Sequence, residues 1–304
     1  MQCPDSEAIR ARGWLIVHPL FPMGFRHFLD VHQQPERTVL LRMPPPFSVH
    51  VPITLFQQPL CYNNGSEGDN TGQVLWKSAE CLANLVLARG YVGALATAEG
   101  FASSHEDRRY APLAVELGCG ACALPTMAAA LVGYRAVGTD IGVMVARARE
   151  NLARNQEALA TAGHFTRAPT RQPAQILGLM WGAESLSGEM KRLLGYYDSK
   201  SLGARKNPLF GGASLVLAAD VLYALPGKPI LHEALATTLD ALLSPSDPEA
   251  VAIFTYEKRS GNETHFFEDT LPRWGFRWQE IKPAAHSGSH FVYAAEIRRR
   301  SLGE

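Results

Sequence analysis

The spacing of hydrophobic residues changes near residue 70. Before that point, prolines separate short apolar stretches, and three of these stretches favour extended strands: 38–42, 47–51 and 53–56. A segment rich in turn-forming residues follows at 63–72. Beyond it, strand-like and helix-like spacings alternate to the end of the chain. We therefore expect a β-rich N-terminal extension over 1–70 and one larger domain over 71–304.

The larger domain alternates predicted strands with predicted helices. Short apolar runs predict seven strands, at 113–117, 136–140, 175–179, 215–219, 251–256, 276–281 and 291–297. Apolar residues three or four positions apart predict five helices. The first begins near Leu75, and the others cover 123–131, 141–159, 231–242 and 266–271. Strands separated by helices form a mostly parallel sheet with helices on both faces. The expected fold class is α/β, with a doubly wound, seven-stranded, Rossmann-like sheet.

Composition and charge exclude two function classes. The chain has 304 residues, 46% of them hydrophobic, and its 29 Lys and Arg balance its 29 Asp and Glu. A disordered chain needs low hydrophobicity and high net charge, so that class is excluded. Affinity for nucleic acid comes from basic residues that neutralise phosphates, and the charge balance argues against such a partner.

The five cysteines indicate a reducing compartment. Their number is odd and they are sparse, at positions 3, 61, 81, 119 and 122. Cys119 and Cys122 form a C-x-x-C, but no second pair or nearby His completes a zinc site, so we expect no metal. No signal peptide and no run of 18 apolar residues is present. These features predict a cytoplasmic or nuclear protein that has no membrane partner.

A glycine loop is the first candidate for chemistry. Gly118 and Gly120 lie between a predicted strand and a predicted helix, where glycine allows a sharp turn and the close approach of a ligand to free N–H groups. With Ala123 they complete a G-x-G-x-x-A, and Asp140 ends the next strand twenty residues on. This motif alone leaves open a nicotinamide or flavin enzyme and a tight turn without a ligand.

Glu116 favours a different ligand. A carboxylate two residues before the glycines repels a pyrophosphate, but it suits a ligand with an ammonium and a sulfonium. S-adenosylmethionine has both groups, and it has a ribose whose hydroxyls could donate hydrogen bonds to Asp140. The alternative for Glu116 is an ion pair at a strand end.

Further motifs, in order along the chain, resemble the seven-β-strand S-adenosylmethionine-dependent methyltransferases, and within them the family 16 group of protein-lysine methyltransferases. The matching segments, within 71–297, are 71–79 (TGQVLWKSA), 115–120 (VELGCG), 139–140 (TD), the paired Asn151 and Asn155, 179–182 (LMWG), 219–223 (ADVLY), 256–259, 266–267 and 275–276. The sequence departs from the family at Cys122, where a third glycine is usual, and in inserts at 97–109 and 183–212.

The resemblance implies the class I methyltransferase fold, S-adenosylmethionine as cofactor and a set of roles. The residues implied to bind the cofactor are Trp76, Glu116, Gly118, Gly120, Asp140, Trp181 and Ala219. Asp220 and Tyr223 are the implied catalytic pair. An Asp that ends an apolar strand is costly to bury without a partner, and a substrate ammonium would supply one. The alternatives to these roles are that Trp76 and Trp181 are ordinary core residues and that Asp220 is the N-cap of a helix.

The expected function is methyl transfer to a lysine side chain of a non-histone protein by a monomeric enzyme. Transfer to a histidine or arginine of a protein, and a catalytically inactive S-adenosylmethionine-binding module, are the alternatives. Because the net charge is zero, long-range steering cannot select a basic substrate, and we expect recognition to be local.

Overall fold

A computed structural model describes residues 34–43, 49–58, 71–89, 112–166, 174–182, 186–194, 212–222, 231–258, 261–281 and 292–300. Several sequence predictions lie outside these residues: Tyr223, Cys3, Cys61, the insert at 97–109 and most of the insert at 183–212. None of the helices in the described part of the chain has the length and hydropathy that crossing a membrane requires.

The described strands are β1 Glu36–Arg42, β2 His50–Phe56, β3 Leu113–Leu117, β4 Arg135–Asp140, β5 Gln175–Gly178, β6 Leu215–Ala219, β7 Val251–Glu257, β8 Phe276–Ile281 and β9 Val292–Arg299. The helices are α1 Lys77–Arg89, α2 Leu124–Leu131, α3 Gly142–Arg154, α4 Gln156–Thr166, α5 Gly188–Leu193, α6 His232–Leu242, α7 Asn262–His265 and α8 Leu271–Arg273. A 3₁₀ turn, Thr71–Gln73, precedes α1, and a π-helical turn, Phe266–Thr270, joins α7 to α8.

Seven strands form one sheet in the order β5-β4-β3-β6-β7-β9-β8. The first five are parallel, and β9 and β8 are antiparallel to their neighbours. The predicted doubly wound, seven-stranded, Rossmann-like sheet is confirmed. Chain order reverses at β3, which lies between β4 and β6, and open α/β sheets bind ligands at the carboxyl ends of the strands at such a point.

Helices cover both faces of this sheet. Val216 belongs to a hydrophobic cluster with Leu235 of α6, whereas the next residue, Leu217, belongs to a second cluster with Leu82 of α1. All residues of β3 are buried, as expected of a central parallel strand. Accordingly, β6 is a continuous apolar run in the sequence, and β3 is apolar except at Glu116.

The N-terminal strands β1 and β2 form a separate antiparallel hairpin. Leu41 and Ile53 on its buried face join the cluster that contains Leu82. The prediction of two strands at 47–51 and 53–56 was wrong, because β2 runs through Pro52. The amides of Thr54 and Phe56 bond side chains away from β1. Pro52 precedes Thr54 by two residues, so its backbone nitrogen also faces away from β1. The N–H that proline lacks is therefore not needed for pairing with β1.

The single helix predicted at 141–159 was also wrong. It is divided into α3 and α4 at Asn155, whose N–H donates to Leu152 O at 3.2 Å. The side chain of Asn155 bonds the backbone of Thr54 in β2, so a contact distant in sequence accompanies the break.

Candidate functional site

The glycine loop connects β3 to α2 and is closely packed at Gly120. Gly118 and Gly120 have φ of +64° and +58°, in the left-handed region that favours glycine. An added Cβ at Gly120 would lie 2.7 Å from the carbonyl oxygen of Gly72. That same oxygen accepts a hydrogen bond from Ala121 N at 2.7 Å. The loop therefore lies directly against the turn before α1, and a larger residue at 120 does not fit.

Cys122 stands at the position of the third glycine without needing glycine's conformational freedom. Among the described non-glycine residues, those in the left-handed region are Ala123, with φ of 46°, and Asp220. Cys122 is buried, and burial raises the pKa of its thiol to about 12. Burial likewise raises the pKa of Cys119. Both thiols stay protonated, and no group of three or more His, Cys, Asp or Glu within the described ranges is placed to hold a metal ion.

Glu116 is buried at the end of β3 and is bonded to α2. Its Oε2 accepts a hydrogen bond from Thr126 N at 2.8 Å and another from the Thr126 hydroxyl. Burial is the main cause that raises the pKa of Glu116 to about 7, and these two hydrogen bonds oppose it. The carboxylate therefore caps the first turn of α2, and its partner is a threonine rather than a basic side chain.

Asp140 joins the end of β4 to the glycine loop. Its Oδ2 accepts from Gly120 N at 2.7 Å, and its Oδ1 accepts from Ile141 N at 2.7 Å. The side chain is partly exposed, and each carboxylate oxygen has a second lone pair. Asp140 thus orients the glycine loop with its carboxylate.

The two predicted tryptophans have different neighbours. Trp181 follows β5, and its Cζ2 lies 3.4 Å from the position of a Cβ on Gly118. A hydrogen bond of 2.8 Å from Gly182 N to the Thr238 hydroxyl fixes the adjoining backbone to α6. Trp76 donates from Nε1 to Thr71 O at 2.7 Å. Both indoles are partly buried.

Asp220 directly follows Ala219, the last residue of β6, in an unusual conformation. Its φ is +57°, it is 7% exposed, and its N–H donates to Thr255 O at 2.7 Å. A left-handed φ costs about 1–2 kcal/mol for a residue with a Cβ, and such outliers cluster at functional sites. The next residue, Val221, lies 3.0 Å from the position of a Cβ on Gly118. The structure therefore places Asp220 beside the glycine loop.

Sequence reasoning missed an apolar surface beside Asp140. Ile141, Val143 and Met180 are 49%, 58% and 69% exposed, although each is a large apolar residue. They follow the carboxyl ends of β4 and β5, which are neighbours in the sheet. The sequence signal that could have revealed this surface is an apolar residue directly after a predicted strand, as at Ile141 and Met180.

The structure brings most of the predicted residues to one edge of the sheet. Gly120 bonds Asp140, and Gly118 packs against Trp181 and Val221. The carboxylate of Glu116 bonds α2, and the indole N–H of Trp76 bonds the turn before α1. The glycine loop, Asp140 and Val221 lie at the carboxyl ends of β3, β4 and β6, where chain order reverses and where an open α/β sheet has its ligand-binding crevice.

No protein-family profile and no curated protein matches the chain. Solved structures do. A methyltransferase of Thermus thermophilus 16S rRNA (N2 G1207), in complex with AdoMet and guanosine, is 14% identical over 87% of this chain and 51% of its own, with a TM-score of 0.41. An S-adenosylmethionine-dependent methyltransferase from Agrobacterium tumefaciens is 12% identical over 86% of this chain and 69% of its own, with a TM-score of 0.41.

A precorrin-6y C5,15-methyltransferase from Geobacter metallireducens is 11% identical over 65% of this chain and 90% of its own, with a TM-score of 0.34. Identities and TM-scores this low carry no argument about function. The fold assignment rests on strand order and direction. Five parallel strands are followed by the reversed strand β9 and then by β8, which has the direction of the first five, and this is the expected class I methyltransferase sheet.

Proposed function

We propose that the protein binds S-adenosylmethionine at the carboxyl ends of β3, β4 and β6 and transfers its methyl group to a lysine side chain of another protein, as the family 16 resemblance suggests. The observation that carries the proposal is the hydrogen bond of 2.7 Å between Gly120 N and Asp140 Oδ2. It holds a glycine loop, into which no larger residue fits at 120, beside a partly exposed carboxylate.

The residues at this crevice suit the parts of the cofactor. Asp140 would accept hydrogen bonds from the ribose hydroxyls. Ile141, Met180 and Trp181 supply the apolar surface that an adenine requires. Gly118, with a φ of +64°, allows the sharp turn that brings the loop against Trp181. That Glu116 contacts the cofactor remains a prediction, since its observed partner is Thr126.

The cofactor supplies the reactive methyl group as a sulfonium, and the protein's task is to position the acceptor nitrogen. An unperturbed lysine has a pKa near 10.4, so freeing its lone pair at neutral pH costs about 4–5 kcal/mol. Asp220 lies at the end of β6, next to the residue that packs on Gly118, and its carboxylate would orient the amine. By the resemblance, Tyr223 would add an aromatic face that attracts a cation. Correct alignment contributes up to about 7–11 kcal/mol.

The test uses Asp220→Asn, because Asn tolerates a left-handed φ better than Ala does and keeps the shape of the side chain. The matched control is Asp247→Asn, since Asp247 Oδ1 accepts from Glu249 N in the loop before β7, at the opposite end of the sheet. We expect all three proteins to bind S-adenosylmethionine in calorimetry. With labelled cofactor and cell extract, wild type and Asp247→Asn should label a protein, and Asp220→Asn should label it at least tenfold less.

Each alternative has its own outcome. Failure of the wild type to bind the cofactor would overturn the proposal. Binding without transfer to any protein would identify an inactive binding module. Mass spectrometry of the labelled protein distinguishes methyl-lysine from methylated histidine or arginine, and size-exclusion chromatography tests the proposed monomer.

A further inference from the structure

The outer edge of β2 is held by two buried asparagines. Asn151 Oδ1 accepts from Phe56 N at 2.7 Å, and Asn151 Nδ2 donates to Phe56 O at 2.8 Å. Asn155 makes the same pair of bonds with Thr54, at 2.9 and 2.8 Å. Each side-chain amide thus replaces a neighbouring strand, and the pair docks the N-terminal hairpin on α3 and α4.

The third hydrogen bond of each asparagine goes to a different place. Asn151 Nδ2 also donates to Ala121 O, within the glycine loop, at 2.8 Å. Asn155 Nδ2 donates instead to the backbone oxygen of Asn151, at 2.8 Å. A primary amide has two N–H donors, so both donors of Asn151 are used, one on the hairpin and one on the loop. With only 1% of Asn151 exposed, water does not compete for these bonds.

Other bonds join the same three segments. Ala121 N donates to Gly72 O at 2.7 Å, which ties the loop to the turn before α1. Gln58 N donates to Gln73 O at 3.2 Å, which ties the end of the hairpin to that turn. The hairpin, the turn and the glycine loop therefore form one closed network, and Asn151 is the side chain that bridges the hairpin and the loop directly.

We propose that Asn151 is a positioning residue that couples the N-terminal hairpin to the cofactor-binding loop. By bonding Ala121 O and the Phe56 backbone with one amide, it fixes the peptide between Ala121 and Cys122. This peptide lies one residue after Gly120, whose own N–H bonds Asp140. The hairpin then contributes to cofactor affinity without touching the cofactor. This inference rests on the proposed function, because the affinity concerned is that for S-adenosylmethionine.

The chain offers a matched pair of variants. Asn151→Ala removes three hydrogen bonds, to Phe56 N, Phe56 O and Ala121 O. Asn155→Ala also removes three, to Thr54 N, Thr54 O and the Asn151 backbone oxygen. We expect both to lower the melting temperature by similar amounts. Calorimetry should show S-adenosylmethionine binding about fivefold to tenfold weaker in Asn151→Ala, and changed less than twofold in Asn155→Ala.

Hydrogen exchange of the ligand-free proteins gives a second readout that is independent of the cofactor. Amides of residues 118–123 should exchange faster in Asn151→Ala than in wild type, and at the wild-type rate in Asn155→Ala. If Asn151→Ala does not fold, Asn151→Ser replaces it, since serine is uncharged and its hydroxyl has one donor in place of the two of the amide.

The outcomes separate this inference from the proposed function. A wild-type protein that binds no S-adenosylmethionine refutes the proposed function, and exchange of the loop amides then decides the coupling. Equal affinities in the two variants, or equal exchange of their loop amides, would overturn the role of Asn151 while leaving the proposed function intact.

Discussion

Replacing Glu116 by Gln tests whether a buried carboxyl makes the fold sensitive to pH. Burial raises the pKa of Glu116 from 4.5 to about 7. In Glu116→Gln the side-chain oxygen can still accept the hydrogen bonds from Thr126 N and the Thr126 hydroxyl, and its NH₂ takes the place of Oε1. The substitution therefore removes the ionisation and keeps the cap on α2.

The magnitude follows from the difference between the folded and unfolded pKa. Because the folded pKa is raised, the contribution of Glu116 to stability is fully present below pH 4.5 and is lost as the pH rises to about 7. At 1.36 kcal/mol per pKa unit, the loss is about 3 kcal/mol in total. Glu116→Gln does not undergo this loss, so its free energy of unfolding should exceed that of the wild type increasingly as the pH rises.

Urea denaturation between pH 5 and pH 8 measures this difference. Near pH 5 the two proteins should differ by less than about 1 kcal/mol, and at pH 8 the variant should be more stable by about 2–3 kcal/mol. Glu150→Gln, at an exposed position of α3, is the control and should follow the wild type at every pH. If the unfolding free energies of wild type and Glu116→Gln stay parallel over this range, the carboxyl is not buried as described.

Three further predictions concern single positions. Gly120→Ala should lower the free energy of unfolding by at least about 2 kcal/mol, because φ is +58° and an added Cβ lies 2.7 Å from a backbone oxygen. Gly142→Ala, where no atom lies within 4 Å of the added Cβ, should change it by less than about 1 kcal/mol. Cys122→Gly should lower the free energy of unfolding by about 1–3 kcal/mol, because Cys122 packs in the core. Its affinity for S-adenosylmethionine should stay within about twofold of wild type, because the φ of Cys122 is not left-handed and does not require glycine. Calorimetry that shows tighter binding would contradict this. Burial is the main cause that lowers the pKa of His232, and the neighbouring His265 adds to it. The contribution of His232 to the stability of the wild type should therefore be lost as the pH falls below 6.5. Thermal melts of His232→Gln should show a smaller loss, whereas the exposed control His50→Gln should match the wild type.

The sequence predicted the central strands well because their surroundings are uniform. Strands β3 and β6 lie at the predicted residues, 113–117 and 215–219. Both are covered on two faces, and such strands are continuous apolar runs that any window of the sequence shows. The closeness of Gly120 and Asp140 followed from the same pattern, since neighbouring parallel strands end at one edge of the sheet.

The boundary between α3 and α4 could not be predicted in this way. Apolar periodicity continues across Asn155, so the sequence indicates one helix where the structure has two. Likewise, the acidic residue type at 116 suggested a ligand or an ion pair, whereas the partner in the structure is Thr126. Residue type shows that a buried polar group needs a partner, and it does not say which one.

By itself, the sequence determined the seven strands of the sheet and which polar residues end the strands around the crevice. Burial patterns and strand ends are local properties, and the seven-stranded sheet follows from them. Only the tertiary structure decided that Asp220 takes a left-handed φ and that Asn151 bonds Phe56, 95 positions earlier in the chain. Backbone N–H and C=O groups are the same at nearly every residue, so only folding selects which of them a distant amide meets.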